Sequence, residues 1–186
     1  MPRIRPVAAV AGAGPAAKLD GQLTYLRVEF GQGFEGSMAK RTLTFRDRIS
    51  AVFGPVANWE SRLELQGGEL LPEIARLSCQ ELTVFQVPGR EGNPFELSAI
   101  GNTLIEGKSV NGQLFAARAH RLSFDPGKDL LMLQGDTRSE AKLYYQRRVG
   151  APRSTLGPAR QIKFWPKANR YKLDGVGMLD LNDLGG

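Results

Sequence analysis

Cysteine is all but missing from this chain. Cys79 is the only one in 186 residues, which excludes an intrachain disulfide framework and any cysteine-cluster metal site. Histidine is as scarce: His120 has no second imidazole with which to share a metal. No apolar run approaches the roughly 18 residues that a membrane-spanning helix needs. A sustained 3.6-residue period is missing too, and the only helical candidates are short, at 69–75 and 139–147. Acids are almost absent from one stretch. Between Arg138 and Lys172 there are ten basic residues and one acid, Glu140, so this segment carries +9 against a total of +6 and leaves −3 for the rest. Such an imbalance asks for an anionic partner or a solvated face.

Catalytic groupings are missing as well. Serine hydrolase chemistry would need His120 as its base, but His120 stands on a polar strand position that Arg160 takes in the second copy of an internal repeat. Asp125 and Asp129 bracket a turn, where carboxylates cap backbone N–H groups. Asp180 and Asp183 fall in a tail. Cys79 reads as a small buried hydrophobe. Gly12 and Gly14, in VAAVAGAGPAA, imitate a dinucleotide loop. The phosphate chemistry of such a loop requires a helix after it, and Lys18-Leu19-Asp20-Gly21 would end that helix at once. The expectation is a non-enzymatic protein with no cofactor and no metal.

What is present is a period of two. In Thr24–Phe30, Leu26, Val28 and Phe30 share a face against Arg27 and Glu29. Similar alternation marks 41–46, 48–53, 61–65, 82–87, 95–99, 102–106, 114–119, 121–124, 130–134, 162–165 and 171–173. Turn residues separate these runs: Gly54-Pro55, Gly92-Asn93-Pro94, Asn111-Gly112, Asp125-Pro126-Gly127 and Gly135-Asp136. Short strands so punctuated predict an all-β fold of about ten antiparallel strands. Residues 1–20 read as a flexible leader, 21–178 as one domain and 179–186 as a tail. Residues 150–158 read as a poorly ordered loop.

One phrase is written twice. AHRLSFDPGKDLLMLQG (119–135) and ARQIKFWPKANRYKLDG (159–175) align at Ala119/Ala159, Phe124/Phe164, Pro126/Pro166, Leu133/Leu173 and Gly135/Gly175. Each copy is strand, proline turn, strand. The second copy fixes the inner face: Arg170 and Lys172 replace Leu130 and Met132, so Leu131 and Leu133 should point inward. No such hairpin can bury its apolar face alone, so neighbours must stack.

LSAIGNTLIEGK followed by GQLFAARAHRLSFDPGKDLLMLQGD resembles the OstA-like family of lipopolysaccharide-transport β-jellyrolls. The resemblance runs through Ala99, Gly101-Asn102, Glu106-Gly107, Phe115-Ala116, Ala119, Leu122, Phe124-Asp125, Leu131, Leu133 and Gly135-Asp136, and by the repeat to about 175. It implies an open β-jellyroll of repeated antiparallel hairpins, with an apolar groove that shelters acyl chains for outer-membrane assembly. It further implies lipopolysaccharide or a similar glycolipid as ligand, edge-strand stacking with other OstA-like domains, and a periplasmic or envelope location. No clear signal peptide opens the chain, which reads either as the C-terminal part of a longer protein of this kind or as one with a misplaced start. The groove is expected on Leu122, Phe124, Leu131, Leu133, Ile162, Phe164, Tyr171 and Leu173. Arg147, Arg148, Lys163, Lys167 and Arg170 are expected to meet anionic headgroups. A basic β-domain that binds single-stranded nucleic acid through Tyr144, Tyr145, Phe164 and Trp165 is the alternative, as is a structural module of a larger envelope protein. Because Phe164 matches an inward position, no nucleic acid is expected.

Overall fold

The computed structural model describes residues 18–19, 22–58, 60–65, 67, 69–87 and 95–176. Residues 1–17 of the expected leader and the whole expected tail lie outside them. The strands are β1 (Lys18–Leu19), β2 (Gln22–Glu29), β3 (Phe34–Ser37), β4 (Thr42–Val56), β5 (Ala75–Gln86), β6 (Phe95–Lys108), β7 (Leu114–Asp125), β8 (Leu130–Gln134), β9 (Ala141–Gln146), β10 (Arg153–Trp165) and β11 (Arg170–Val176). All pairings are antiparallel, in the order β1-β2-β4-β5-β6-β7-β8-β10-β11. β3 lies on β4, and β9 pairs with both β7 and β10. The protein is all-β, as the period of two predicts, and its folded antiparallel sheet is the jellyroll that the resemblance implies.

The long strands would be too long for a flat sheet with one buried face, and each is bent near its middle. The β4–β5 register slips between Arg46 and Ile49, β5–β6 between Ser78 and Glu81, β6–β7 between Ile100 and Thr103. Asp47-Arg48 and Gly101-Asn102 each put two consecutive residues at positive φ (65° and 46°; 83° and 46°). Such a pair inserts unpaired residues, bends the strand and re-aims the side chains beyond the bend. β7 makes the same passage by changing partner: Arg118 pairs with Lys142 of β9, and Arg121 with Gln134 of β8. The runs expected as separate strands at 41–46 and 48–53, 95–99 and 102–106, and 114–119 and 121–124 are thus two halves of single strands.

The bends form one line across the sheet and fold it on itself. One half holds β2, β9 and the segments 49–56, 75–79, 103–108, 114–119 and 153–159. The other holds β3, β8, β11 and the segments 42–46, 81–86, 95–100, 121–125 and 161–165. The two apolar faces meet, and aromatic pairs cross between them: Phe53 with Phe124, Phe115 with Phe164 and Tyr145 with Tyr171, each with ring centroids 5.5 Å apart.

The second half carries two apolar rows in cross-strand register. Phe34, Phe45, Leu82, Ala99, Leu122, Leu133, Ile162 and Leu173 form one. Leu43, Val84, Leu97, Phe124, Leu131, Phe164 and Tyr171 form the other. Burial of a Leu, Ile or Phe contributes about 1.5–3 kcal/mol, so these rows and their counterparts opposite are the main source of cohesion. The repeat is visible in three dimensions. Asp129 and Asn169 are both left-handed (φ 48° and 46°). Each donates its N–H to the carbonyl of the proline three residues before it, Pro126 or Pro166. Asp and Asn tolerate that conformation better than other side-chain-bearing residues.

Four expectations need correction. SEAKLYYQR is no helix: Ala141, Leu143 and Tyr145 alternate inward along β9, and the short run is governed by a period of two. Residues 69–75 hold a turn and the start of β5. Of the expected 150–158 loop, Arg153 onward is already β10, because Leu156 and Ala159 find buried partners on β9. Residues 61–65 form no strand either. Leu65 and Ile74 fold back over the outside of β4 and cover Val52 in a small second core.

Where β8 gives way to β9, one carboxylate holds the chain. Asp136 Oδ1 accepts from the N–H of Arg138 (2.9 Å), the N–H of Ser139 (2.6 Å) and the hydroxyl of Ser139 (2.8 Å). Its Oδ2 lies 3.2 Å from His120 Nδ1 on β7, at the bend. These bonds, with the backbone donors foremost, pull its pKa from 3.8 to about 2. Hydrogen bonds to the charged form favour that form. A folded-state pKa below the unfolded one means that this contribution is complete above pH 4 and is lost as pH falls through 2. An NMR titration should therefore place the Asp136 midpoint near 2, and Asp136→Ala should flatten the dependence of stability on pH across that window.

Leu133 is fully buried in the middle of its row, whereas Leu173 is half-buried at its end. Leu133→Ala should cost about 2–5 kcal/mol in urea unfolding, and Leu173→Ala distinctly less.

Candidate functional site

The folded sheet leaves one seam where the free ends of its halves face each other. There lies a cavity of about 150 Å³. Phe53, Ile105 and Phe115 line it from one half, and Phe95, Phe124 and Leu131 from the other. Phe115 lies over Gly107, its cross-strand partner: a Cβ on that glycine would come within 2.3 Å of the ring. Gly107 thus lets the Phe115 ring settle toward its own sheet and leaves the space open.

The rim is charged. Glu73, Lys108, Asp129 and Lys167 stand around the opening. Lys167 ties the two sides together: its Nζ is 3.9 Å from a Glu73 carboxylate oxygen, and its N–H donates to Asp129 Oδ2 at 2.8 Å. Burial, opposed by Lys167, holds the Asp129 carboxyl above its ordinary range. Farther along the seam, Asn169 Nδ2 donates to the carbonyl of Gln146 at 3.4 Å. Tyr171 meets Tyr145 there, and burial with that contact raises its phenol pKa. Lys108 is held by Glu69 at 2.8 Å. The seam is thus closed by a few polar links over an apolar interior.

All eight expected groove residues belong to the inward rows. Leu122, Leu131, Leu133, Ile162 and Phe164 are sealed, at 0–2% exposure, while Phe124, Tyr171 and Leu173 are half-buried. Phe124 and Leu131 alone of the eight reach the cavity. Sequence reasoning did not place Phe53, Ile105 or Phe115 in the groove; they lie on the facing half. Their alternation was visible, but not which run would fold over which.

The five expected headgroup contacts are not in one place. Lys167 is on the rim. Arg147 and Arg148 follow β9, where Gln113 binds the Arg147 carbonyl at 2.9 Å. Lys163 and Arg170 alternate with inward Ile162, Phe164 and Tyr171, so they occupy the opposite face of the sheet. The aromatic set considered for stacking nucleic acid bases is dispersed in the same way. Phe164 and Tyr145 are buried, and Tyr144 and Trp165 stand on the outer faces of different halves.

Among the described residues no group of three or more His, Cys, Asp or Glu is arranged to hold a metal ion, and no helix is long and apolar enough to cross a membrane. Cys79 is buried, and burial pushes its thiol up to about 12. The thiolate is the reactive form, so the folded protein should resist iodoacetamide at pH 8 and react once unfolded in urea.

No family model matches the chain, and no curated protein is significantly similar to it in sequence. Its fold has a relative among solved structures. LptH, the LptA-homologous periplasmic component of the lipopolysaccharide transport device of Pseudomonas aeruginosa, superposes with a TM-score of 0.55 at 12% identity, over 83% of this chain and 89% of that one. The shared property is the β-jellyroll itself.

Proposed function

We propose that the protein is a non-enzymatic, lipid-handling β-jellyroll that shelters the acyl chains of lipopolysaccharide or a similar glycolipid between its sheet halves. The observation that carries this reading is the continuity of the apolar interior. The inward rows run from edge to edge, and their last members stay half-buried or exposed at both ends. Phe34, on the edge strand β3, is 58% exposed, and Tyr171 and Leu173 on the other edge strand are half-buried. A closed globule would cap those ends with polar side chains. Similar domains added at β3 or β11 would continue both the sheet and its apolar lining, which is the edge-strand stacking expected of an envelope bridge. The fold shared with a periplasmic lipopolysaccharide-transport component agrees with this use and with a periplasmic location.

The cavity of about 150 Å³ is the size of one that holds benzene, too small for a whole acyl chain. Sheltering therefore requires the halves to part along the seam, where the Glu73–Lys167 link is partly exposed and worth no more than about 1 kcal/mol. Lys167, on the rim of the cavity, would meet a headgroup phosphate once the chains are inside.

A photoreactive amino acid in place of Phe124 should crosslink to added lipopolysaccharide, and one in place of Arg118, on the outer face, should not. Ile105→Trp, which fills the cavity, should lower the yield at position 124 severalfold while the melting temperature stays near that of the parent. Equal crosslinking at 118 and 124, or none at either, would leave a structural module as the better description.

A further inference from the structure

The outer face of the second half carries a surface that the trough does not use. On β10, Ile162 and Phe164 point inward, so Lys163 and Trp165 point out. The same alternation turns Leu130 and Met132 of β8 outward, and Arg170 and Lys172 of β11. Met132, Lys163 and Lys172 stand side by side in register across three strands. Trp165 pairs with Arg170, whose guanidinium lies 4.4 Å from the ring centroid.

Two features of this panel work against stability. Like charges directly opposite on neighbouring strands repel, and Lys163 faces Lys172 in that way. Among the described residues Lys163 and Arg170 have no carboxylate at ion-pair distance, and Lys172 has only Asp174, at 3.7 Å. Half-buried Leu130, Met132 and Trp165 add apolar surface beside these cations. The composition is that of an interfacial surface. Trp and aliphatic side chains suit the boundary between headgroups and acyl chains, and Lys and Arg suit anionic headgroups.

We infer that this outer face of β8, β10 and β11 docks on an anionic phospholipid membrane surface. Its charge is complementary to such a surface. Two neighbouring strands, β10 and β11, present Lys163, Arg170 and Lys172 roughly 5 Å apart across the sheet, beside the outward apolar side chains of β8. A nucleic acid partner fits less well. Arg170 already covers the Trp165 ring, and among the described residues no second exposed aromatic stands beside it to stack a following base. The inference does not depend on whether lipid enters the trough, because the two faces of the sheet are separate.

The test uses the whole chain with vesicles of equal parts phosphatidylglycerol and phosphatidylcholine, and pure phosphatidylcholine vesicles as the control. Trp59→Phe makes Trp165 the only tryptophan. Flotation should show the protein on the anionic vesicles only, with a blue shift of Trp165 emission and release by high salt. Lys163→Glu with Lys172→Glu should reduce partitioning at least about tenfold. Lys142→Glu, which alternates outward on β9 of the other half, should leave it unchanged. Thermal unfolding confirms that each variant is folded, and Lys163→Gln with Lys172→Gln serves if the double reversal is not. Equal partitioning of the 163/172 variant and the parent, or no partitioning of the parent, would overturn the inference. So would charge-dependent capture of a single-stranded oligonucleotide without capture of vesicles, which would reassign the face to nucleic acid.

Discussion

Everything in this molecule depends on the line of bends across the long strands. A single sheet with one apolar face cannot bury that face by itself. Here the solution is internal: β4 and β6 each place two left-handed residues in mid-strand, β5 slips register beside them, and β8 and β9 divide one strand's course into two. The sheet thereby folds onto its own apolar side. The left-handed pairs are Asp47-Arg48 and Gly101-Asn102, and three of these four are residue types that accept such a backbone at low cost. At Gly101 a Cβ would also strike the Gln80 side chain at 2.4 Å. The glycine is required by both its φ and its surroundings.

Folding a sheet in this way produces an asymmetric interior. Near the bend it is sealed, since Leu122, Leu133 and Ile162 have essentially no exposure. Away from the bend the halves are held by aromatic pairs and a handful of polar links, and a cavity remains. Packing strength therefore decreases from bend to seam. On the proposed function, that gradient lets the bend supply the stability while the seam holds the weaker contacts that a ligand would replace.

Much of this was legible in the sequence. The period of two established the strands. The second copy of the repeat established the inner face, because Arg170 and Lys172 stand where Leu130 and Met132 leave the choice open. Sequence reasoning erred where a local signal served a non-local purpose. The runs 95–99 and 102–106 read as separate strands, but Gly101-Asn102 at their junction is a bulge within one. Ser139–Arg147 contains good helix formers, but Leu143 and Tyr145 are claimed by β7 and β10. The basic residues of 138–172 read as one segment, yet alternation along β10 and β11 sends Lys163 and Arg170 to the outer face while Lys167 goes to the seam. Which half folds over which is a property of the whole sheet, and no short window contains it.

The central claim is that the two halves part at the seam to admit an apolar chain. It is tested most directly by locking them. Glu73→Cys and Lys167→Cys, in a Cys79→Ala background, place one thiol on each side of the opening, to be joined by a short reducible crosslinker. The account predicts that the locked protein stays folded and fails to capture lipopolysaccharide, and that reduction restores capture. Capture by the locked protein equal to that of the reduced one would contradict it.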